Sequence, residues 1–168
     1  VLLVLAAIMQ RIVEPVAMWL SWLSGRAAEH RHRQALAALR AVPVFAELPA
    51  ARQLEIARAM RADAVSAGTV IVRQGEPGDR FCLIARGAVE VQVDERPVVR
   101  LGRGDFFGER ALLRNAPRAA TVAATEDGLV FSLERLEFER FLAGDVAARQ
   151  RVQATLAFRD EVAGMPLF

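Results

Sequence analysis

The spacing of apolar and polar positions changes character along this chain, and each change marks a different kind of element. Val1 to Met9 is almost unbroken apolar sequence, and "IVEPVAMWLSWLSG" after it carries Trp19 and Trp22. A charged block from Gly25 to Arg33, "GRAAEHRHR", follows at once. "QALAALR" (Gln34 to Arg40) has helical composition and stops at Pro43. In "ELPAARQLEIARAM", Leu54, Ile56, Ala57 and Met60 recur at helix-like spacing after Pro49, which suits an early helical position. From Gly68 the pattern shortens: "TVIVRQ", "RFCLIA", "AVEVQV" and "VVRLG" are strand-like runs separated by "GEPGD", "RG", "DERP" and "GRGD". "TVAAT", the turn "EDG" and "LVFSL" resume it further on. Helical period returns at Glu134 with "ERLEFERFL", ending at Gly144, and "DVAARQRVQATLAFRDEVA" follows with Asp145 as its expected N-cap.

Helices, about eight short strands, then helices describe an α+β chain whose strands close into an antiparallel β-roll or jelly-roll barrel flanked by N-terminal and C-terminal helices. The expected divisions are 1–33 (apolar segment and basic linker), 34–144 (the main domain) and 145–168 (a C-terminal lid helix). At 168 residues and 54% hydrophobic, the chain has material for one ordinary core.

The order apolar run, tryptophans, arginines fits the cytoplasmic exit of a membrane segment, with the domain at the cytoplasmic face. An amphipathic helix lying on the domain or on a membrane is the alternative, because Gln10, Arg11, Glu14 and Pro15 interrupt the run. The formal charge is only +2, while the pI is about 9.8. Every basic side chain is Arg and Tyr is absent, so little titrates between neutrality and the arginine range, and the high pI is no argument for nucleic acid. Cys82, alone in "FCLIA", reads as a buried reduced thiol. His30 and His32 read as solvated linker residues, with no metal expected.

"FFGERALLRNAPRAATV" (Phe106 to Val122) resembles neither an amphipathic helix nor an alternating strand. Gly108 permits close backbone approach or positive φ, and "ALLR" after Glu109 is long enough for one helical turn whose free N–H groups favour an anion. Arg118, beside the small Ala119 and Ala120, offers paired donors suited to two phosphate oxygens. The Glu109 carboxylate only accepts hydrogen bonds and so suits a hydroxyl. A phosphate and a sugar hydroxyl held close together describe a nucleotide.

The stretch Phe107 to Val122 resembles the phosphate-binding cassette of cyclic nucleotide-binding domains, found in protein kinase A regulatory subunits, the catabolite activator protein and cyclic-nucleotide-gated channels. "GEPGDRFCLIARGAVEV" adds Gly75, Gly78, Asp79, Gly87 and Val89 where members carry turn glycines and strand residues. The resemblance implies that Glu109 accepts from the ribose 2′-OH, that Arg118 pairs with the cyclic phosphate, and that Gly108 and Ala111 contribute backbone N–H groups. It also draws Phe107 and Arg110 into the binding segment and Val91 into the purine pocket. Ala119, where cGMP-selective kinase domains tend to carry Thr or Ser, favours cAMP, with cGMP as the second ligand. The base cap would come from Val146 to Phe158.

The expected function is a cAMP-preferring sensor, without cofactor or catalysis of its own, that regulates an upstream membrane effector in the same chain: a transporter, a channel or a membrane protease. The alternatives are a degenerate domain of the same fold acting as a scaffold, and a regulator of the catabolite activator type, for which no helix-turn-helix follows the long helix. No HExxH, GxSxG or Walker loop is present. "ALRAVPVF" and "FRDEVAGMPLF" echo each other, so a second, tandem domain is expected downstream.

Overall fold

A computed structural model of the chain describes the backbone of residues 26–164 and the side chains through residue 157. Helix α1 runs over 26–40, followed by α2 (Pro43–Ala46) and α3 (Ala50–Ala59). Eight strands come next: β1 (Arg61–Val65), β2 (Val70–Val72), β3 (Arg80–Arg86), β4 (Val89–Val93), β5 (Arg96–Leu101), β6 (Phe106–Phe107), β7 (Thr121–Ala124) and β8 (Gly128–Glu134). A short helix α4 (Glu109–Leu113) interrupts them, and α5 (Arg135–Ala143) and α6 (Val146–Gly164) close the chain. The strands pair antiparallel in two four-stranded sheets, ordered β1-β8-β3-β6 and β2-β7-β4-β5. The expected α+β roll of about eight strands with helices at both ends is the fold observed.

Alternation along β3 divides the interior in two. Successive strand residues point to opposite faces, so Phe81 and Leu83 join one cluster while Cys82 and Ile84 join another. The first cluster packs the helices on the first sheet through Leu39, Phe45, Ile56, Phe138 and Phe141. Its rings are in contact: Phe81 stacks on Phe138 at 5.2 Å between centroids, and Phe45 meets Phe81 edge-on at 5.6 Å. The second cluster is smaller and mostly aliphatic, with Val72, Val89, Val122 and Val130 around Cys82 and Phe107 between the sheets. Burial pushes the Cys82 thiol up to about 12, so it stays protonated and inert, as its apolar setting implied.

The Asp145 carboxylate accepts from the Ala148 N–H at 2.8 Å, the expected cap of α6. Buried Gln53 donates to the carbonyls of Phe45 and Ala46 at the end of α2 and accepts from Arg40 Nε at 3.0 Å, fastening the first three helices together.

Three expectations on element limits change. The strands begin at Arg61, before Gly68; "RADAV" has a weak apolar pattern because β1 is an edge strand paired only with β8. Phe106 and Phe107 form a strand, too short for period two to be visible in sequence, held by pairing with Cys82 and Leu83. The basic stretch is helical from residue 26 onward and continuous with 34–40, so it is no separate linker there. The membrane-exit candidate lies outside the described residues, as do the side chains of the C-terminal half of the echo. Among the described residues no helix is long and apolar enough to cross a membrane.

Candidate nucleotide site

Phe107 ends β6 with its ring buried between the sheets, and the chain then turns sharply at Gly108, where φ is +90°. A side chain cannot stand there: a Cβ would lie 2.5 Å from Arg118 Nη1 and 2.7 Å from the Arg80 carbonyl oxygen. The positive φ and the missing Cβ together let the backbone run directly beside a guanidinium. Helix α4 starts immediately afterwards with Glu109, buried at 3% exposure, followed by half-buried Arg110 and buried Ala111. The single helical turn expected after Glu109 is therefore present.

Arg118 is 4% exposed, an unusual state for arginine that demands partners. Its Nη2 donates to Asp79 Oδ1 at 2.9 Å and its Nη1 approaches the Gly108 carbonyl oxygen at 3.4 Å. Its backbone is strapped as well, because its N–H donates to the Glu76 carbonyl at 2.8 Å and its carbonyl accepts from the Gly75 N–H at 2.9 Å. Pro77 and Pro117 bridge beside these bonds. Both ends of the side chain are thus held, and the guanidinium lies against the backbone that leads into Glu109. The acid and the base singled out from sequence are brought to one wall.

Asp79 was visible in the sequence only as a turn residue. Its carboxylate sits between two guanidinium groups, with Arg80 Nε at 3.3 Å on one side and Arg118 on the other. Desolvation acts to raise its pKa, but Arg80, a hydrogen bond from its own backbone N–H and Arg118 together outweigh that and hold it below the ordinary 3.8. It stays ionised at neutral pH, and with 62% of its side chain exposed it remains open to water and to competing ions.

Two further contacts tie this loop to the helices. Gly78 packs so tightly on α4 that a Cβ there would lie 2.2 Å from Ala111 Cβ. Arg135, at the start of α5, donates from Nη2 to the Gly78 carbonyl at 2.6 Å and reaches the Leu112 carbonyl with Nη1 at 3.5 Å, while its backbone N–H donates to the Asp79 carbonyl at 2.8 Å. The first residue of α5 therefore grips both halves of the site. Neither Asp79 nor Arg135 carries a local signal for these roles, since their partners are 39 and 57 residues away.

The remaining expected residues are less confined. Ala119 is exposed beside Arg118, and Val91 is half-buried on β4, pairing with Val122 of β7 on one side and Val99 of β5 on the other. An open groove of about 560 Å³, lined among others by Arg61, Ser132, Glu134 and Glu139, lies along β8 and α5 and borders the site at Asp79, Arg80 and Arg135. No cluster of metal-ligating residues occurs among the described residues.

With this geometry in hand, comparison with known proteins is direct. Residues 63–145 match the family model described as the cyclic nucleotide-binding domain. Over 99 residues the chain is 46% identical to a cyclic nucleotide-gated potassium channel of Rhizobium etli, covering 59% of this chain and 28% of the channel. It is 36% identical over 124 residues to a cAMP-dependent protein kinase regulatory subunit of Blastocladiella emersonii, covering 71% of this chain and 30% of that one. The chain thus spans less than a third of the length of either relative. Among solved structures, the regulatory domain of Toxoplasma gondii protein kinase A superposes with a TM-score of 0.69 at 32% identity, covering 81% of this chain and 52% of that one. The regulatory subunit of a cAMP-independent protein kinase A from Trypanosoma brucei superposes with a TM-score of 0.70 at 28% identity, covering 77% and 47%. Cassette, roll and flanking helices agree with these matches, and through residues 63–145 this chain belongs to the cyclic nucleotide-binding domain family.

Proposed function

We propose that the domain is a cAMP-preferring sensor that regulates a membrane effector in the same parent protein. The observation that carries this reading is the buried Arg118, held by Asp79 and the Gly108 carbonyl beside the start of α4. A guanidinium so anchored has lost its side-chain entropy before any ligand arrives, which favours tight capture of a doubly oxygenated anion such as a cyclic phosphate. Glu109 would accept from the ribose 2′-OH, Gly108 and Ala111 would donate backbone N–H groups to the phosphate, and Val91 would line the purine side.

Residue identity matters more than fold here, because one structural neighbour is described as belonging to a cAMP-independent kinase. A variant of that Trypanosoma brucei subunit is described as bound to cAMP; it carries a glutamate-to-alanine change and, seven and eight positions further on, threonine-to-arginine and valine-to-alanine changes. Ala111, Arg118 and Ala119 are the same three residue types at the same spacing. The likeness to a gated potassium channel supports a membrane effector, a channel first among the candidates.

On binding, the ligand's phosphate would compete with Asp79 for Arg118. Arg135 joins the Asp79 loop and α4 to α5, so a shift at the cassette would pass to the C-terminal helices. Coupling of this kind is typically about 1–3 kcal/mol. Calorimetry with cAMP and cGMP on the wild type and Arg118→Ala tests the assignment. Micromolar or tighter cAMP binding, weaker cGMP binding and a marked loss in the variant are expected; equal binding by both proteins would refute it.

A further inference from the structure

The strongest feature outside the cassette is the N-terminal end of α1. Residues 26–34 are mostly exposed, and the first buried residue of the helix is Ala35, followed by Ala38 and Leu39 in the aromatic core. The first two turns therefore project as an arm from a helix rooted in the domain. Arg26, Arg31 and Arg33 lie on this arm against a single acid, Glu29, and Arg31 and Arg33 are both exposed. Arg26, His30 and Arg33 follow one another at intervals of four and three and share one face, while Arg31 lies on the side where Ala35 and Leu39 root the helix, one turn before Ala35, so the positive charge surrounds the arm.

The sequence just before the arm limits where it can be. Only three residues separate Trp22 from Arg26, so their Cα atoms are at most about 14 Å apart in any conformation. Arg33 lies only about 10 Å further along the helix axis. Tryptophan side chains next to apolar sequence settle at the level of lipid headgroups. Arg26 is then within about two Debye lengths of the headgroup level at physiological salt and Arg33 within about three, upper limits that an arm inclined toward the surface shortens.

We propose that the basic arm of α1 docks on the headgroups of an anionic bilayer and holds the domain against the membrane at a set orientation. The proposal does not depend on which nucleotide the cassette binds. Its source of attraction is guanidinium to lipid phosphate, added to whatever the apolar segment contributes. Because Arg40, on the same helix, bonds to Gln53, the docked helix is tied to α3 rather than hinged freely on the domain.

Co-flotation of the 168-residue chain with phosphatidylcholine vesicles, with and without phosphatidylserine, tests this. Arg31→Gln with Arg33→Gln should lower partition to the phosphatidylserine vesicles about thirtyfold and leave partition to pure phosphatidylcholine unchanged. Arg31→Lys with Arg33→Lys should keep wild-type partition, and added salt should release the phosphatidylserine-dependent part of wild-type binding. Arg96→Gln with Arg100→Gln, the same charge change on the exposed β5 edge, should have no effect. The proposal is overturned if both glutamine pairs act equally, if phosphatidylserine makes no difference to the wild type, or if Arg31 and Arg33 instead support tighter binding to duplex DNA than to vesicles. Retained cAMP binding in the glutamine variants would show that the fold is intact and would test the function proposed above separately.

Discussion

The aromatic cluster under the helices and the wall that carries Arg118 both lean on β3, yet they use opposite chemistry. The cluster buries six phenylalanines, among them Phe45, Phe81 and Phe138 at full burial, with no polar group to satisfy beyond the backbone. The wall buries a guanidinium and a carboxyl-bearing side chain, and it relies on glycines and alanines to let backbone and side chains approach. Large apolar volume specifies and stabilises the fold; small residues around a fixed charge leave a place for something else to bind. The difference implies that stability and nucleotide affinity are separable here.

The largest effect should come from the cluster. Phe81→Ala removes a ring in contact with three others, Phe45, Phe106 and Phe138, and should destabilise the domain by about 3–5 kcal/mol. Urea denaturation would measure it; a loss below about 1 kcal/mol would mean that the helices do not depend on this cluster. Nucleotide affinity of the fraction that stays folded should be little changed.

Arg118→Ala should reverse that pattern. Calorimetry should find cAMP affinity reduced by about 2 kcal/mol or more, while stability falls by only about 1 kcal/mol, because the abandoned Asp79 carboxylate is mostly exposed and can be hydrated. An unfolded variant would break the comparison, since Arg118 would then be a structural residue first.

Gly108→Ala sits where the two regions meet and should affect both. The positive φ costs an alanine about 1–2 kcal/mol, and its Cβ must displace either the Arg118 guanidinium or the Arg80 carbonyl. Thermal unfolding and calorimetry on the same sample should both register the change. Wild-type affinity in this variant would show that the guanidinium has more room than its contacts imply.

The smallest effect is a dependence on pH. Asp79 has a folded pKa below its ordinary 3.8, so its stabilising contribution is complete above that ordinary value and disappears as pH falls through the lower folded one. The exposure of its carboxylate keeps this contribution below about 1 kcal/mol. The stability difference between wild type and Asp79→Asn should be constant from neutrality down to about pH 5 and shrink in stronger acid. A difference that grew in acid would assign Asp79 the wrong sign.

Much of this protein could be read from local pattern. Short runs rich in Val and Ile, bounded by Gly, Pro and Asp, marked six of the eight strands, because β-branched residues suit pleated backbone and the turns between strands need those breakers, and Asp145 announced its own cap. The cassette was legible because its glycine, acid, helical turn and arginine lie within about a dozen consecutive residues. The strand "RADAV" and the two-residue β6 escaped, since each is held by a partner strand rather than by its own composition. Only the tertiary structure decided that Asp79 holds Arg118, that Arg135 clasps Gly78 and Leu112, and that Gln53 ties three helices together. These are single polar contacts between groups far apart in the chain. Their energy depends on where the folded backbone brings the donors and acceptors, and such contacts impose no period or spacing on the residues around them.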